Sequence, residues 1–242
     1  MAHLRQVDLR NRLLRALNPR DFEALQAALR LEDMPLRQVL IAPRTKIETV
    51  YFVESGIVSV TNDGVSGRVE IGLIGREGLV GASPILLGDD RSPHTHFVQA
   101  AGHMLSVDAH MMLAIAETRP AMRVLLLRYI HTHFAQTAQT ASANARGNTA
   151  MRLARWLLMY QDRSEGDTVM VTHEFMSLML GVERPGVTRA LRALEDDGLV
   201  RTHRGLVVII DRDGLLGLVG DSYGTAEAEY DRLIEGHITP TA

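Results

Sequence analysis

No cysteine occurs among the 242 residues, which removes disulfides, thiol nucleophiles, thiolate-held zinc and cysteine-held iron–sulfur clusters together. No apolar run approaches the roughly 20 residues that a membrane span needs. The start, Met1-Ala2-His3-Leu4-Arg5, leads into a charged segment without the apolar core of a signal peptide, so a cytoplasmic chain is expected. Internal repeats and low-complexity tracts are lacking as well. There is no excess of positive charge either: 26 Lys and Arg stand against 29 Asp and Glu, a net charge of −3. Any binding of nucleic acid must therefore come from a local patch.

What is present is the composition of a globular chain. A hydrophobic fraction of 46% with 23% charged residues supports a real core, and the length fits two domains of ordinary size. Asn18-Pro19 opens the first clear helix, with Phe22, Leu25 and Leu29 recurring as its buried stripe. From Arg37 to Asp108 the pattern changes to β-prone runs at 39–41, 49–53, 57–61, 69–74 and 97–101. Turns are expected at Glu54-Ser55-Gly56, Asn62-Asp63-Gly64 and Gly88-Asp89-Asp90. Short strands at this spacing point to a sandwich or jelly roll.

Beyond Asp108 the chain turns helical. A long helix is expected from near Pro120 to about Ala145. Its stripe of Met122, Leu125, Leu126, Tyr129, Ile130 and His133 fits an internal core more readily than a dimer seam; the small, polar stretch 136–144 suits close helix–helix contact. Another helix follows Gly147, marked by Met151, Ala154, Leu157 and Leu158, and Glu165-Gly166-Asp167 turns into the last module. The tail at 225–236 reads as one more short helix, with no function assigned to it.

The stretch from Val171 to Asp211 carries the function. Thr172 can cap a helix whose buried side is Phe175, Leu178 and Met179, and Gly181 sits where a tight turn needs it. Pro185 suits the first turn of a second helix that runs to about Asp197 and stops at Gly198. On this helix Val187, Ala190, Leu191 and Leu194 form the packing side, while Arg184, Thr188, Arg189 and Arg192 share another. Residues 199–210 read as a hairpin turning at Arg204-Gly205, which places Arg201, His203 and Arg204 near a phosphate backbone. Arginine forks match guanine O6 and N7 in the major groove. Exposed arginines alone are commonplace. A capped helix, glycine turn, basic helix and basic hairpin in that order are not, so DNA binding is expected.

Gly181-Val182-Glu183-Arg184-Pro185-Gly186-Val187-Thr188-Arg189, then Leu194-Glu195-Asp196-Asp197-Gly198-Leu199-Val200, and upstream Tyr51-Phe52-Val53-Glu54-Ser55-Gly56 resemble the CRP/FNR family, the catabolite-activator-like regulators. The resemblance covers nearly the whole chain. It implies an α+β fold with a cyclic-nucleotide-binding-like β-jelly-roll at 1–118, a long dimerisation helix at 119–146, and a C-terminal winged helix-turn-helix with its tail at 147–242. It also implies a non-enzymatic, homodimeric regulator of double-stranded DNA, whose recognition helices enter successive major grooves of a partly palindromic operator about 34 Å apart. RNA polymerase would be a further partner. Arg184, Arg189 and Thr188 would read base edges, while Arg192, Arg201 and Arg204 would mainly hold phosphates.

Two departures from the family matter. Its cyclic-nucleotide cassette pairs a glycine–glutamate with a later arginine; here Gly81-Ala82-Ser83 and His94-Thr95 stand at those places, with Arg91 as the other candidate phosphate partner. Alanine cannot accept a ribose hydroxyl, and a neutral histidine is a poor substitute for a guanidinium fork. Control by cyclic AMP is therefore not expected, and the effector is an unknown small molecule. Second, Pro185-Gly186 replace an acidic reader and a small polar residue, so the cytosine contact of several relatives should be missing.

No cofactor and no metal are expected. His94 and His96 alternate on one strand face, an arrangement more often structural than ligating, and His131 and His133, two apart on a helix, point different ways. A haem held by histidine has no support, and no dense His/Glu cluster supports a cupin-like enzyme. The rival reading is a ligand-binding or protein-docking module whose helix-turn-helix meets a protein partner.

Overall fold

The computed structural model describes residues 4–64 and 67–237; the opening Met1-Ala2-His3 and the last residues 238–242 lie outside it. Asn11 and Asn18 cap the first two helices, α1 (Arg12–Ala16) and α2 (Pro19–Gln26), each side chain accepting a backbone N–H three residues on. Asn11 is fully buried, and its amide donates to the carbonyls of Val53 at 3.0 Å and Gly78 at 2.9 Å, pinning the helix to the strands behind it.

Those strands are β1 (Arg30–Met34), β2 (Val39–Ile41), β3 (Thr49–Gly64), β4 (Gly67–Ile74) and β5 (Leu79–Val80), then, after a short helix α3 (Ala82–Leu86), β6 (Thr95–Asp108). All pair antiparallel in one sheet ordered β1-β6-β3-β4, with β2 on β6 and β5 on β3. Inward residues such as Phe52, Val58, Val60, Val98 and Leu105 fill the roll.

The expected strands 49–53 and 57–61 are in fact one. The turn read at Glu54-Ser55-Gly56 is a series of bulges, where the register with β6 shifts between Val53 and Ser55 and again between Ser55 and Ile57. Gly56 has φ +84, and a Cβ there would meet the Ala100 carbonyl at 2.5 Å, so this glycine serves a kink within the strand. Asn62-Asp63-Gly64 likewise continues β3, with Gly64 pairing to Gly67. The exposed Arg30-Leu31-Glu32-Asp33 of edge strand β1 carries no alternation that sequence could reveal.

Helices α4 (Ala109–Thr118) and α5 (Pro120–Arg146) follow, the latter close to the expected span. Met122, Leu125, Leu126 and Tyr129 are buried in the core of the roll, so this stripe is intramolecular. A second core joins α6 (Thr149–Gln161), β7 (Thr168–Met170), α7 (His173–Leu180), α8 (Arg184–Asp196), β8 (Val200–His203), β9 (Leu206–Ile209) and α9 (Arg212–Val219). Ile57 and Leu73 of the roll belong to that core too, so this second unit, the head, packs on the roll through apolar side chains. The tail helix α10 (Thr225–Leu233) packs on α5. It is tied down by Tyr230, whose hydroxyl donates to the Glu77 carbonyl at 2.8 Å, and by Arg12, which reaches Asp231 at 3.1 Å and Glu235 at 2.7 Å. No described helix is long and apolar enough to cross a membrane.

Candidate nucleic-acid interface

Thr172 caps α7 by accepting the Phe175 N–H at 3.2 Å. Gly181 ends the helix with φ 61 and ψ 39, the left-handed geometry that suits glycine. The Ser177 hydroxyl holds the turn by donating to the Val182 carbonyl. Helix α8 then starts at Arg184 with Pro185 in its first turn. Val187, Ala190, Leu191 and Leu194 are buried, as their spacing requires.

The buried side of α7 differs from the expected one. Met176, Met179 and Leu180 fill it, while Leu178 is 40% exposed. Phe175 is half-buried and meets Phe97 of the roll edge-on, with ring centroids 6.2 Å apart. Two surfaces, head core and roll, compete for this helix, and sequence periodicity registers only one.

On the outer side of α8, Arg184, Arg189 and Arg192 are exposed. Thr188 is half-buried, donating to the Arg184 carbonyl at 3.2 Å and lying 3.2 Å from His173 Nδ1. The wing is a three-stranded sheet ordered β7-β9-β8, with β7 an addition to the expected hairpin. It reverses at Arg204-Gly205, where Gly205 takes φ +79. Arg201 and Arg204 point to solvent. Glu195 fastens the wing to α8 by accepting the Thr202 N–H at 2.6 Å and hydroxyl at 2.7 Å, bonds that hold its carboxyl below the usual range. The acid at the end of α8 thus works structurally. None of the five guanidinium groups enters a hydrogen bond or salt bridge with a described residue.

The six residues expected at the effector pocket are engaged in different ways. Gly81 (φ +84) precedes α3 and is hemmed in by Ile41 and Val50, each 3.1 Å from where a Cβ would stand; Ala82 is buried and Ser83 half-buried. Arg91 donates to the Arg44 carbonyl at 2.9 Å and lies 3.3 Å from Asp90, while the Thr95 hydroxyl donates to Asp63 at 2.7 Å. His94 is half-buried, its Nδ1 has no hydrogen-bond partner among the described residues, and burial lowers its pKa against the opposing charge of Asp63.

Burial also drives His96 down to about 3, with His133 and His94 adding to the shift, and takes His133 down to about 4. Sequence spacing set His131 and His133 apart and paired only His94 with His96; the fold brings His133 of α5 into the field of those two. Nothing local could have disclosed that grouping. Among the described residues, no three or more His, Asp or Glu side chains are placed to hold a metal ion.

Sequence reasoning also missed the junction between roll, head and tail. The Arg163 guanidinium pairs with Glu77 at 2.7 Å, and both side chains are largely buried. Burial pushes Glu77 up, but Arg163 and backbone N–H donors outweigh it and hold the carboxyl below its usual range. Beside this pair, beneath the tail, lies a cavity of about 510 Å³ lined by Arg76, Tyr129, His133 and Tyr223 among others.

Residues 31–119 match the model of the cyclic nucleotide-binding domain, and residues 151–218 that of the Crp-like helix-turn-helix domain. No curated protein matches the chain. Among solved structures, it is similar to the c-di-GMP responsive global regulator CLP of Xanthomonas campestris at 18% identity and TM-score 0.66, over 80% of this chain and 100% of that one. It is also similar to FixK2 of Bradyrhizobium japonicum, at 16% identity and TM-score 0.68, over 78% and 96% of the two chains. A putative regulator of the crp/fnr family from Eubacterium rectale gives 17% identity and TM-score 0.68, over 86% and 97%. At these identities the likeness is one of fold.

Proposed function

The chain belongs to the CRP/FNR family of transcription regulators, and from that premise we propose that it binds an operator in double-stranded DNA as a homodimer, without control by cyclic AMP. The carrying observation is the set of five exposed arginines on α8 and the wing whose guanidinium groups make no hydrogen bond or salt bridge with a described residue. In this reading Arg184, Thr188 and Arg189 meet base edges, and Arg192, Arg201 and Arg204 hold phosphates. The protein works in the cytoplasm and is not an enzyme.

The second copy docks on α5. One line along this helix carries Val124, Leu127, His131, Phe134, Ala138, Ala141 and Ala145, spaced alternately by three and four residues, the period of a coiled-coil seam; Leu127 on it also packs against the roll and His131 lies 3.7 Å from Glu229 of α10. Val124 is 47% and Phe134 68% exposed, apolar surface that a helix partner would remove from water. Pairing there would set the two recognition helices on half-sites about one DNA turn apart.

Cyclic AMP does not suit the roll, because Ala82 offers no side-chain acceptor and a neutral His94 offers no guanidinium fork. An unknown small-molecule effector would act by shifting the relative placement of the two heads, and the cavity beneath the tail gives it room. RNA polymerase is the remaining partner. Titration with cyclic AMP should give no heat and leave operator affinity unchanged; micromolar binding would overturn that part. Affinity for mixed DNA fragments should fall steeply with salt as phosphate contacts release counterions. A flat salt response would favour the rival reading, in which the helix-turn-helix docks on a protein.

A further inference from the structure

One carboxylate stands between roll and head with no salt bridge to a described residue. Glu70 of β4 is buried. Its Oε1 accepts the Trp156 indole N–H of α6 at 2.7 Å, and its Oε2 accepts the Ser59 hydroxyl of β3 at 2.5 Å. The Met179 sulfur of α7 also lies 3.6 Å from that hydroxyl. Glu70 therefore joins the roll to the DNA-binding head.

Three cations face it, and each is engaged elsewhere. Arg152 donates to Asn144 at 2.9 Å and to the Leu180 carbonyl. Arg155 donates to the Ser222 carbonyl at 2.8 Å and to Thr140 at 3.1 Å, and Arg163 is paired with Glu77. From α5 only the uncharged Thr140, Ala143 and Asn144 line the small space beside it, and no other acid does. A buried carboxylate without an ion pair favours its neutral form, because desolvating the charge costs more than two hydrogen bonds return.

We propose that Glu70 latches the head to the roll while it is protonated, and that loss of this proton loosens the contact, so that the placement of the head depends on pH. Burial raises the Glu70 pKa from 4.5 to about 7, against the opposing effects of Ser59, Trp156, Arg163 and Arg155. Docking of the head therefore takes up a proton. It is tightest below the pKa of the exposed carboxyl and weakens as pH rises through the docked value, on the order of a hundredfold across the window. This inference stands on the contact between roll and head, whether or not the arginines meet DNA.

Trp156 is the only tryptophan, so its emission reports directly on the carboxyl it touches. In the full-length protein, emission scanned between about pH 5.5 and 8.5 should inflect near 7, with the radius of gyration from small-angle scattering larger at the alkaline end. Glu70→Gln is a neutral isostere whose amide oxygen can accept the Trp156 N–H while its NH2 donates to the Ser59 oxygen, and it should abolish the inflection and the expansion. Ser59→Ala removes a donor to the ionised form and should move the midpoint to higher pH, a second route should the Gln variant not fold. A flat wild-type titration, an inflection that persists in Glu70→Gln, or a radius that does not change with pH would overturn the proposal.

Discussion

Two groups of arginines divide this molecule. Arg184, Arg189, Arg192, Arg201 and Arg204 stand exposed on α8 and the wing, their guanidinium groups in no hydrogen bond or salt bridge with a described residue. Arg155, Arg163 and Arg212, at the junction of roll, head and tail, are bound to Ser222, Glu77 and Asp162 at 2.7–2.8 Å. The same side chain serves two ends. A buried guanidinium must be satisfied within the fold, whereas a set of exposed ones can meet a ligand that supplies the negative charge, as proposed above. The net charge of −3 averages the two groups and hides both.

The comparison can be broken at four points. The largest effect belongs to the junction: Arg163→Ala leaves Glu77 buried and unpaired and should cost about 3–5 kcal/mol of stability in denaturant unfolding. A loss under ~1 kcal/mol would show the pair to be dispensable. Phe134→Asp puts a charge on the proposed α5 seam and should convert dimer to monomer in sedimentation, with stability largely kept because Phe134 is 68% exposed. Arg189→Ala should cost about 1–3 kcal/mol of operator affinity and blur one base pair per half-site. A uniform loss across sequences would make Arg189 a phosphate contact. Smallest is Arg204→Ala, which should weaken binding to all sequences alike and reduce the salt slope by about one ion per site.

Legibility from sequence followed the same division. The head could be read because its signals are local: the Thr172 cap, Gly181, the Pro185 start and the Arg204-Gly205 reversal each act within a few residues. Helix α5 was legible as a helix and in its core face, but not in the proposed seam. Its most apolar stripe, with Met122, Leu125 and Tyr129, belongs to the roll, while the proposed seam is built from weaker residues such as Ala138 and Ala141. In the roll, β3 was divided at bulges that only its pairing with β6 defines. Glu70, Glu77 and the grouping of His133 with His94 and His96 depend on contacts between residues far apart in the chain, which no periodicity can express.

Selection of bound fragments from random double-stranded DNA, followed by footprinting, tests the central claim most directly. The account predicts an enriched, partly palindromic site with two half-sites about 10 base pairs apart, each protected in the major groove. No enrichment over the starting pool at low ionic strength would contradict it.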